Sequence, residues 1–301
     1  QVAAKLGMKE SALISMVDSL LADGFLSRFG PLFDAARMGG RHVLAAMAVP
    51  FERFGEVTDL VNRFPTVAHN YRRDHHLNMW FVVSAESTLL VEQTMGRIER
   101  RSGLSVYRFP KEREFYVGLF LKLHANGNVT TVSRPPLKVA TGQELTTVDR
   151  ELVIACQNGL PLSPEPYVEI AAQLSITVET VLKRLTALQH QGVIRRIGAV
   201  PNHYRLGLRA NGMTVWNVVE AQAAELGEEV GSLPFVSHCY LRPRYPGVWE
   251  YNLFAMVHGS DRDTVEQKRT VIRGILGNHL LADDTLYSTE ILKKSGLRLA
   301  A

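Results

Sequence analysis

The sequence predicts an α+β protein of two tandem units, each a winged helix-turn-helix followed by a ferredoxin-like βαββαβ domain. Three observations predict it. First, the chain repeats: a shift of 168 residues lays Ile170–Gly198 on Val2–Gly30 without a gap. Seven of these 29 positions are identical: Ala171/Ala3, Ala172/Ala4, Leu174/Leu6, Leu188/Leu20, Gly192/Gly24, Arg196/Arg28 and Gly198/Gly30. Chance gives roughly two at ordinary residue frequencies. Second, the likeness continues downstream. Leu233–Arg242 parallels Arg63–Arg73, with His238 over His69 and Tyr240 over Tyr71, and Tyr251–Gly259 parallels Leu77–Ala85, with Asn252 over Asn78. Third, helical and strand periodicities alternate in the same order in both copies.

In copy two, Leu145–Gln157 is a helix capped by Thr146 or Thr147. Pro166–Leu174 is a second helix, Ser175-Ile176-Thr177 a turn, and Val178–Gln191 a third helix with Val178, Val181, Leu182, Leu185 and Leu188 at helical spacing. Gly192 ends it and Val193–Val200 begins a strand or wing, a helix-turn-helix layout. Copy one shows only the last two of these helices, Val2–Leu6 and Lys9–Ala22, so the first is expected to precede Gln1. The second part reads strand, helix, strand, strand, helix, strand. In copy one these are His42–Val49, Phe54–Phe64, Val67–Arg73, Asn78–Ser84, Thr88–Ser102 and a strand within Ser105–Phe109 or Phe115–Leu123. In copy two they are Arg209–Asn217, Ala221–Ser232, Val236–Arg242, Asn252–Val257, Arg262–Gly277 and Thr285–Leu292. The expected division is 1–40, 41–128, a Pro135-Pro136 linker over 129–144, 145–205 and 206–301.

Composition narrows the function. The chain has 301 residues and 33.6 kDa, with 46% hydrophobic and 21% charged residues, which is ordinary globular usage. Mean hydropathy is -0.02, and no apolar run approaches the ~18 residues that span a bilayer. No segment reads as a signal peptide. The two cysteines, Cys156 and Cys239, form no CxxC, which excludes a disulfide framework and a zinc ribbon and fits a reducing cytoplasm. A net charge of +4 permits an anionic partner without requiring one. GxGxxG, Walker A, HExxH and GxSxG motifs are all absent.

The stretch IAAQLSITVETVLKRLTALQHQGVIRRIGAV (Ile170–Val200), followed by a βαββαβ pattern, resembles the Lrp/AsnC family of regulators. HNYRRDHHLNMWFV (His69–Val82) and HCYLRPRYPGVWEYNLFAMVHG (His238–Gly259) resemble the two subunit types of the siroheme decarboxylases, here on one chain as in a fused enzyme of haem d1 biosynthesis in denitrifying bacteria. The resemblance implies two Lrp/AsnC-like units and a cofactor-free loss of CO2 from two acetates of siroheme, giving 12,18-didecarboxysiroheme. The iron then belongs to the substrate, and the protein needs no metal site of its own.

Siroheme is a flat polyanion. Its site needs guanidinium and ammonium groups for spectator carboxylates and aromatic walls for the macrocycle. Tyr71, Arg72, Arg73, Lys122, Tyr240, Arg242, Arg244 and Trp249 are the expected binding residues, with Tyr245 and Trp80 beside them. The carbanion-like carbon left by CO2 must take up a proton, for which imidazole suits neutral pH. His75, His76, His124, His238 and His258 are the candidates, and a ring nitrogen has the substrate iron as an alternative partner. Some have a plainer reading, whereas His258 precedes Gly259 at a strand end, where function is more often carried. His69 and His238 sit at matching strand positions where they need only bond the backbone, and His75 and His76 fall in a strand turn. His42, His190, His203 and His279 read as surface; Arg195-Arg196, Arg100-Arg101 and Lys293-Lys294 as solvated charge; Trp216 and Cys239 as core.

Two rivals stand beside the enzyme: a DNA-binding regulator and a haem-binding sensor without catalysis. Lys183, Arg184 and Gln189 suit a recognition helix. Copy one offers only Lys9 there, beside Glu10 and Asp18. The expectation is therefore scaffolding in place of DNA reading, no membrane partner, and paired halves with two unlike pockets, with a homo-oligomer open.

Overall fold

The computed structural model describes residues 2–34, 36–38, 40–85, 87–124, 129–132, 145–202 and 204–294. The backbone gathers into two units. The smaller holds both helix-turn-helix segments, in residues 1–40 and 137–206; the larger holds both ferredoxin-like domains, in residues 41–136 and 207–296.

In the smaller unit, copy one supplies α1 (Val2–Lys5), α2 (Glu10–Ala22) and β1 (Leu26–Phe33), and copy two supplies α5 (Thr147–Cys156), α6 (Pro166–Leu174), α7 (Val178–His190) and β9 (Ile194–Pro201). Local chemistry sets the copy-two boundaries. Thr146 and Asp149 form a capping box at the start of α5, Pro166 opens α6, and Thr177 caps α7 by accepting from the Thr180 N–H. Leu152, Val153, Cys156, Ile170, Val181, Leu185 and Leu188 close the core between these helices. Nothing on α2 is buried to that degree. The wings of the two copies pair antiparallel, from Leu26↔Pro201 to Phe33↔Ile194, which gives the copy-one wing, expected without bounds, the range of β1.

In the larger unit, copy one contributes β2 (Arg41–Met47), α3 (Phe54–Asn62), β3 (Val67–Arg73), β4 (Met79–Ala85), α4 (Thr88–Ser102), β5 (Tyr107–Phe109) and β6 (Arg113–Val117). Copy two contributes β10 (Ala210–Val218), α8 (Ala223–Ser232), β11 (Val236–Leu241), β12 (Leu253–Gly259), α9 (Arg262–Leu276) and β13 (Leu280–Lys294). These strands form one antiparallel sheet in the order β5-β2-β4-β3-β13-β10-β12-β11-β6.

Strand exchange joins the copies. β13, longer than its expected 285–292, pairs with β10 of its own copy up to Tyr287 and then with β3 of the other, from Ser288↔Arg73 to Lys294↔His69. The last strand of copy one is split in two. β5 stays on β2 and β6 crosses to β11, with Pro110, which has no N–H to give a ladder, between them. Phe115 of β6 lies so close to α8 that a Cβ on Gly227 would stand 2.2 Å from its ring.

Period-two alternation gives each half two apolar faces. The outer face of copy one packs Met47, Val67, Phe81 and Val83 against Val57, Val61, Met95 and Ile98 of α3 and α4. Copy two repeats this with Trp216, Cys239, Leu253 and Val257 against Val230, Val265 and Ile272. The inner faces share a third core: Ala46, Leu77, Trp80 and Phe109 from one copy, Val215, Trp249, Phe254 and Leu286 from the other.

Residues 129–132, expected in the linker, form β8 (Val129–Val132), paired with β7 (Phe120–Leu123). Residues 133–144 of that linker lie outside the described residues, as does His203. Among the described residues, no helix is long and apolar enough to cross a membrane.

Candidate functional site

The site begins where β3 ends. Arg73 donates its backbone N–H to the Asn78 carbonyl at 2.9 Å, closing the turn of residues 74–77. The Asn78 amide then clasps Val49, donating to its carbonyl at 2.8 Å and accepting its N–H at 2.9 Å. Copy two repeats the clasp. Arg242 N–H donates to the Asn252 carbonyl at 2.9 Å, and the Asn252 side chain holds Val218 N–H at 2.9 Å and its carbonyl at 3.1 Å. The flanking arginines are reciprocal too: Arg73 donates to the carbonyl of Leu286 in the other copy, and Arg242 to that of Phe109.

Beside the copy-one turn lies a cavity of about 420 Å³ lined by Arg72, Arg73, Asp74, His75, Asn78, Thr289 and Glu290. Arg72 lies 4.4 Å from the Phe54 ring centre and 3.9 Å from Glu290, and Arg73 5.7 Å from the Tyr71 ring. His75 accepts the Leu77 N–H on Nδ1 at 3.0 Å, which puts the proton of its neutral form on Nε2. Its ring meets Trp249 edge-on at 5.3 Å. Burial holds its pKa below the ordinary value; Asp284 works against that shift and His76 adds to it. The structure therefore brings Tyr71, Arg72, Arg73 and His75 together, with His76 exposed next to them.

The other expected residues lie elsewhere. Lys122 is exposed on β7, and His124, just beyond, bonds Thr130 at 3.0 Å, so neither lines the cavity. Arg242 is only 5% exposed, spans the rings of Tyr240 (4.8 Å) and Phe254 (5.5 Å), and is lowered by burial to about 10. Arg244 is spent on the fold: it binds Glu220, Asn217, Val218 and the Glu250 carbonyl. Trp249, expected as a wall for the macrocycle, is 1% exposed in the inner core, among Trp80, Phe109 and Phe254. His238 and His258 share Ser237, whose Oγ is 2.9 Å from His238 Nδ1 and 2.7 Å from His258 Nε2; Asn211 holds the other nitrogen of the buried His258.

Several plain readings also change. His42 is partly buried, its Nδ1 2.7 Å from Ser84 Oγ. Arg195 is forked onto Asp34, and Lys293 caps the Asn62 and Phe64 carbonyls. The sequence reading missed Asp74, Asn78, Thr289 and Glu290 as lining residues. Asn78 carried a signal, its match to Asn252. Thr289 and Glu290 carried none, because only the β13–β3 register brings them there.

Comparison with known proteins agrees with this architecture. Residues 37–116 and 205–293 match the AsnC-like ligand binding domain, and residues 149–195 the siroheme decarboxylase NirDL-like HTH domain. The siroheme decarboxylase NirH subunit of Paracoccus pantotrophus is 61% identical over 151 residues, 50% of this chain and 94% of that one. The siroheme decarboxylase of Hydrogenobacter thermophilus is 33% identical over 269 residues, 88% of this chain and 79% of that one. The crystal structure of siroheme decarboxylase NirDL in complex with an iron-uroporphyrin III analogue superposes with a TM-score of 0.72 at 28% identity, covering 99% of this chain and 87% of that one. With family-level similarity over nearly its whole length, and AsnC-like domains in both halves, this chain belongs to the siroheme decarboxylases.

Proposed function

We propose that this chain is a carboxy-lyase that removes CO2 from two acetate side chains of siroheme, giving 12,18-didecarboxysiroheme. The observation that carries this reading is the copy-one cavity, where two strand-end arginines flank a histidine whose Nδ1 is held by the backbone. Arg72 and Arg73 supply the cations for spectator carboxylates. The reacting acetate gains by weaker pairing, since tight binding of its ground state opposes loss of CO2. The C–C bond to the carboxylate breaks, CO2 leaves, and the electron pair stays on the methylene carbon, where the macrocycle delocalises it. To protonate that carbon, His75 first takes a proton from solvent on Nδ1, giving up its contact with the Leu77 N–H; the imidazolium then gives the carbon its Nε2 proton, the acetate becomes a methyl, and the ring is left neutral. Burial keeps His75 neutral at rest, and the incoming carboxylates favour its charged form.

The regulator reading is weaker on the structure's own terms. Arg184 of α7 is forked onto the buried Asp149, at 2.8 Å for Nε, instead of being offered to a phosphate. The deciding experiment is anoxic incubation with siroheme followed by mass spectrometry of the tetrapyrrole. Loss of two CO2 is expected. Unchanged siroheme with a shifted absorption band makes the chain a sensor, and tight, salt-sensitive binding to a palindromic duplex makes it a regulator.

A further inference from the structure

His75 belongs to copy one, yet the largest side chain against it comes from copy two. Trp249 is 1% exposed and meets the His75 ring edge-on at 5.3 Å. It is not among the residues that line the cavity, and its ring reaches that wall through His75. Its indole Nε1 has no hydrogen-bond partner among the described residues, so nothing polar recommends tryptophan at this depth. What the indole provides is a large rigid surface.

That surface is itself braced. Tyr245 and Trp249 exchange two backbone hydrogen bonds, both 2.7 Å. The Tyr245 hydroxyl donates to the Arg108 carbonyl at 2.7 Å and accepts the Arg108 N–H at 2.9 Å. Arg244 pins the same loop to Val218 and Glu220. A chain of fixed contacts thus runs from β5 through Tyr245 and Trp249 to His75. The Leu77 N–H fixes one ring nitrogen of His75, but a single hydrogen bond leaves the ring free to swing about it.

We propose that Trp249 is a positioning residue for His75: the copy-two loop supplies the wall that holds the copy-one imidazole in its donating orientation, so the copy-one site is complete only with copy two in place. The assignment of a reaction to His75 rests on the function proposed above; the packing does not. The charged and titratable groups near His75 are Asp284 on β13, His76 in its own turn, and Arg72, Arg73, Asp74 and Glu290 around the cavity.

The test uses the intact chain with Trp249→Leu, and Trp249→Phe as a smaller change that keeps a ring. In substrate-free protein, NMR of the His75 ring should show the Nε2–H tautomer losing its dominance in Trp249→Leu. The His75 pKa should rise toward the ordinary value as water reaches the ring. With siroheme, kcat should fall about tenfold with KM within about twofold, the mark of lost orientation. The pH at which kcat/KM declines should move upward with the His75 pKa, because the protonated ring is the donor. Trp249→Phe should shift the same readouts in the same direction by less, and it decides the matter if the leucine variant does not fold. An unchanged His75 tautomer and pKa in either folded variant overturns the proposal, as does a raised KM at constant kcat, which makes Trp249 a substrate wall. If wild-type protein leaves siroheme intact, the reaction assignment fails while the NMR readout still decides the positioning.

Discussion

The turns after β3 and β11 start from the same frame and end as opposites. Both run from a buried arginine to an asparagine clasp, but four residues separate Arg73 from Asn78 and nine separate Arg242 from Asn252. The short turn leaves a cavity with His75 on its wall. The long loop fills its own surroundings: Tyr245 packs on Tyr107 and Phe109 at 5.2 and 5.3 Å, and Trp249 enters the inner core. The two copies thus present equivalent frames, and the difference in loop length leaves a cavity at one and a packed loop at the other.

The sharpest way to break this comparison is at the histidines. His75→Ala should lower kcat by about 10²–10⁴-fold with substrate binding retained. His124→Ala, outside the cavity, should stay within about twofold of wild type by the same steady-state assay.

A second contrast separates His69 from His238, which share a repeat position. His238 has Ser237 at 2.9 Å, whereas the buried Nδ1 of His69 has no hydrogen-bond partner among the described residues. Burial first, then Lys294 and His42, lower the His69 pKa to about 4. The folded state therefore favours the neutral ring. That stability is complete above the unfolded value of 6.5 and is lost as the pH falls from there to about 4. Urea melts of His69→Gln across this window should lack roughly 3 kcal/mol of the wild-type acid destabilisation.

The asparagines test the shared frame itself. Asn78→Ala and Asn252→Ala each strand a backbone N–H and a carbonyl, so both should cost about 1–3 kcal/mol in denaturant melts. Only Asn78→Ala should also impair turnover, because only its turn carries His75. The smallest effect belongs to the cavity rim. Glu290→Gln removes an exposed ion pair with Arg72 and should change stability by less than about 1 kcal/mol. It should nonetheless lower KM for a polyanionic substrate by freeing that guanidinium.

The repeat, the two helix-turn-helix segments and the βαββαβ order were legible in the sequence because they depend on local periodicity and caps. Val67–Arg73 and Thr88–Ser102 match the observed β3 and α4 at both ends. The split of the last copy-one strand was not legible, since β6 forms only by pairing with residues more than a hundred positions away. At the site, Tyr71, Arg72, Arg73 and His75 share one continuous segment and were found together. That Arg242, Arg244 and Trp249 lie off this cavity was not legible for a physical reason: arginine and tryptophan have the same composition signature whether they meet a ligand or brace a loop. Partners across the chain, such as Phe109, Val218 and Glu220, decide which.

Because β6 crosses to β11 and β13 crosses to β3, each copy finishes its sheet with material from the other. A backbone cut between the copies would leave the pieces laced together by three ladders, β6–β11, β13–β3 and the paired wings β1–β9, able to separate only by giving up all of them. Whether one gene or two encodes the halves is then of little consequence to the assembled sheet.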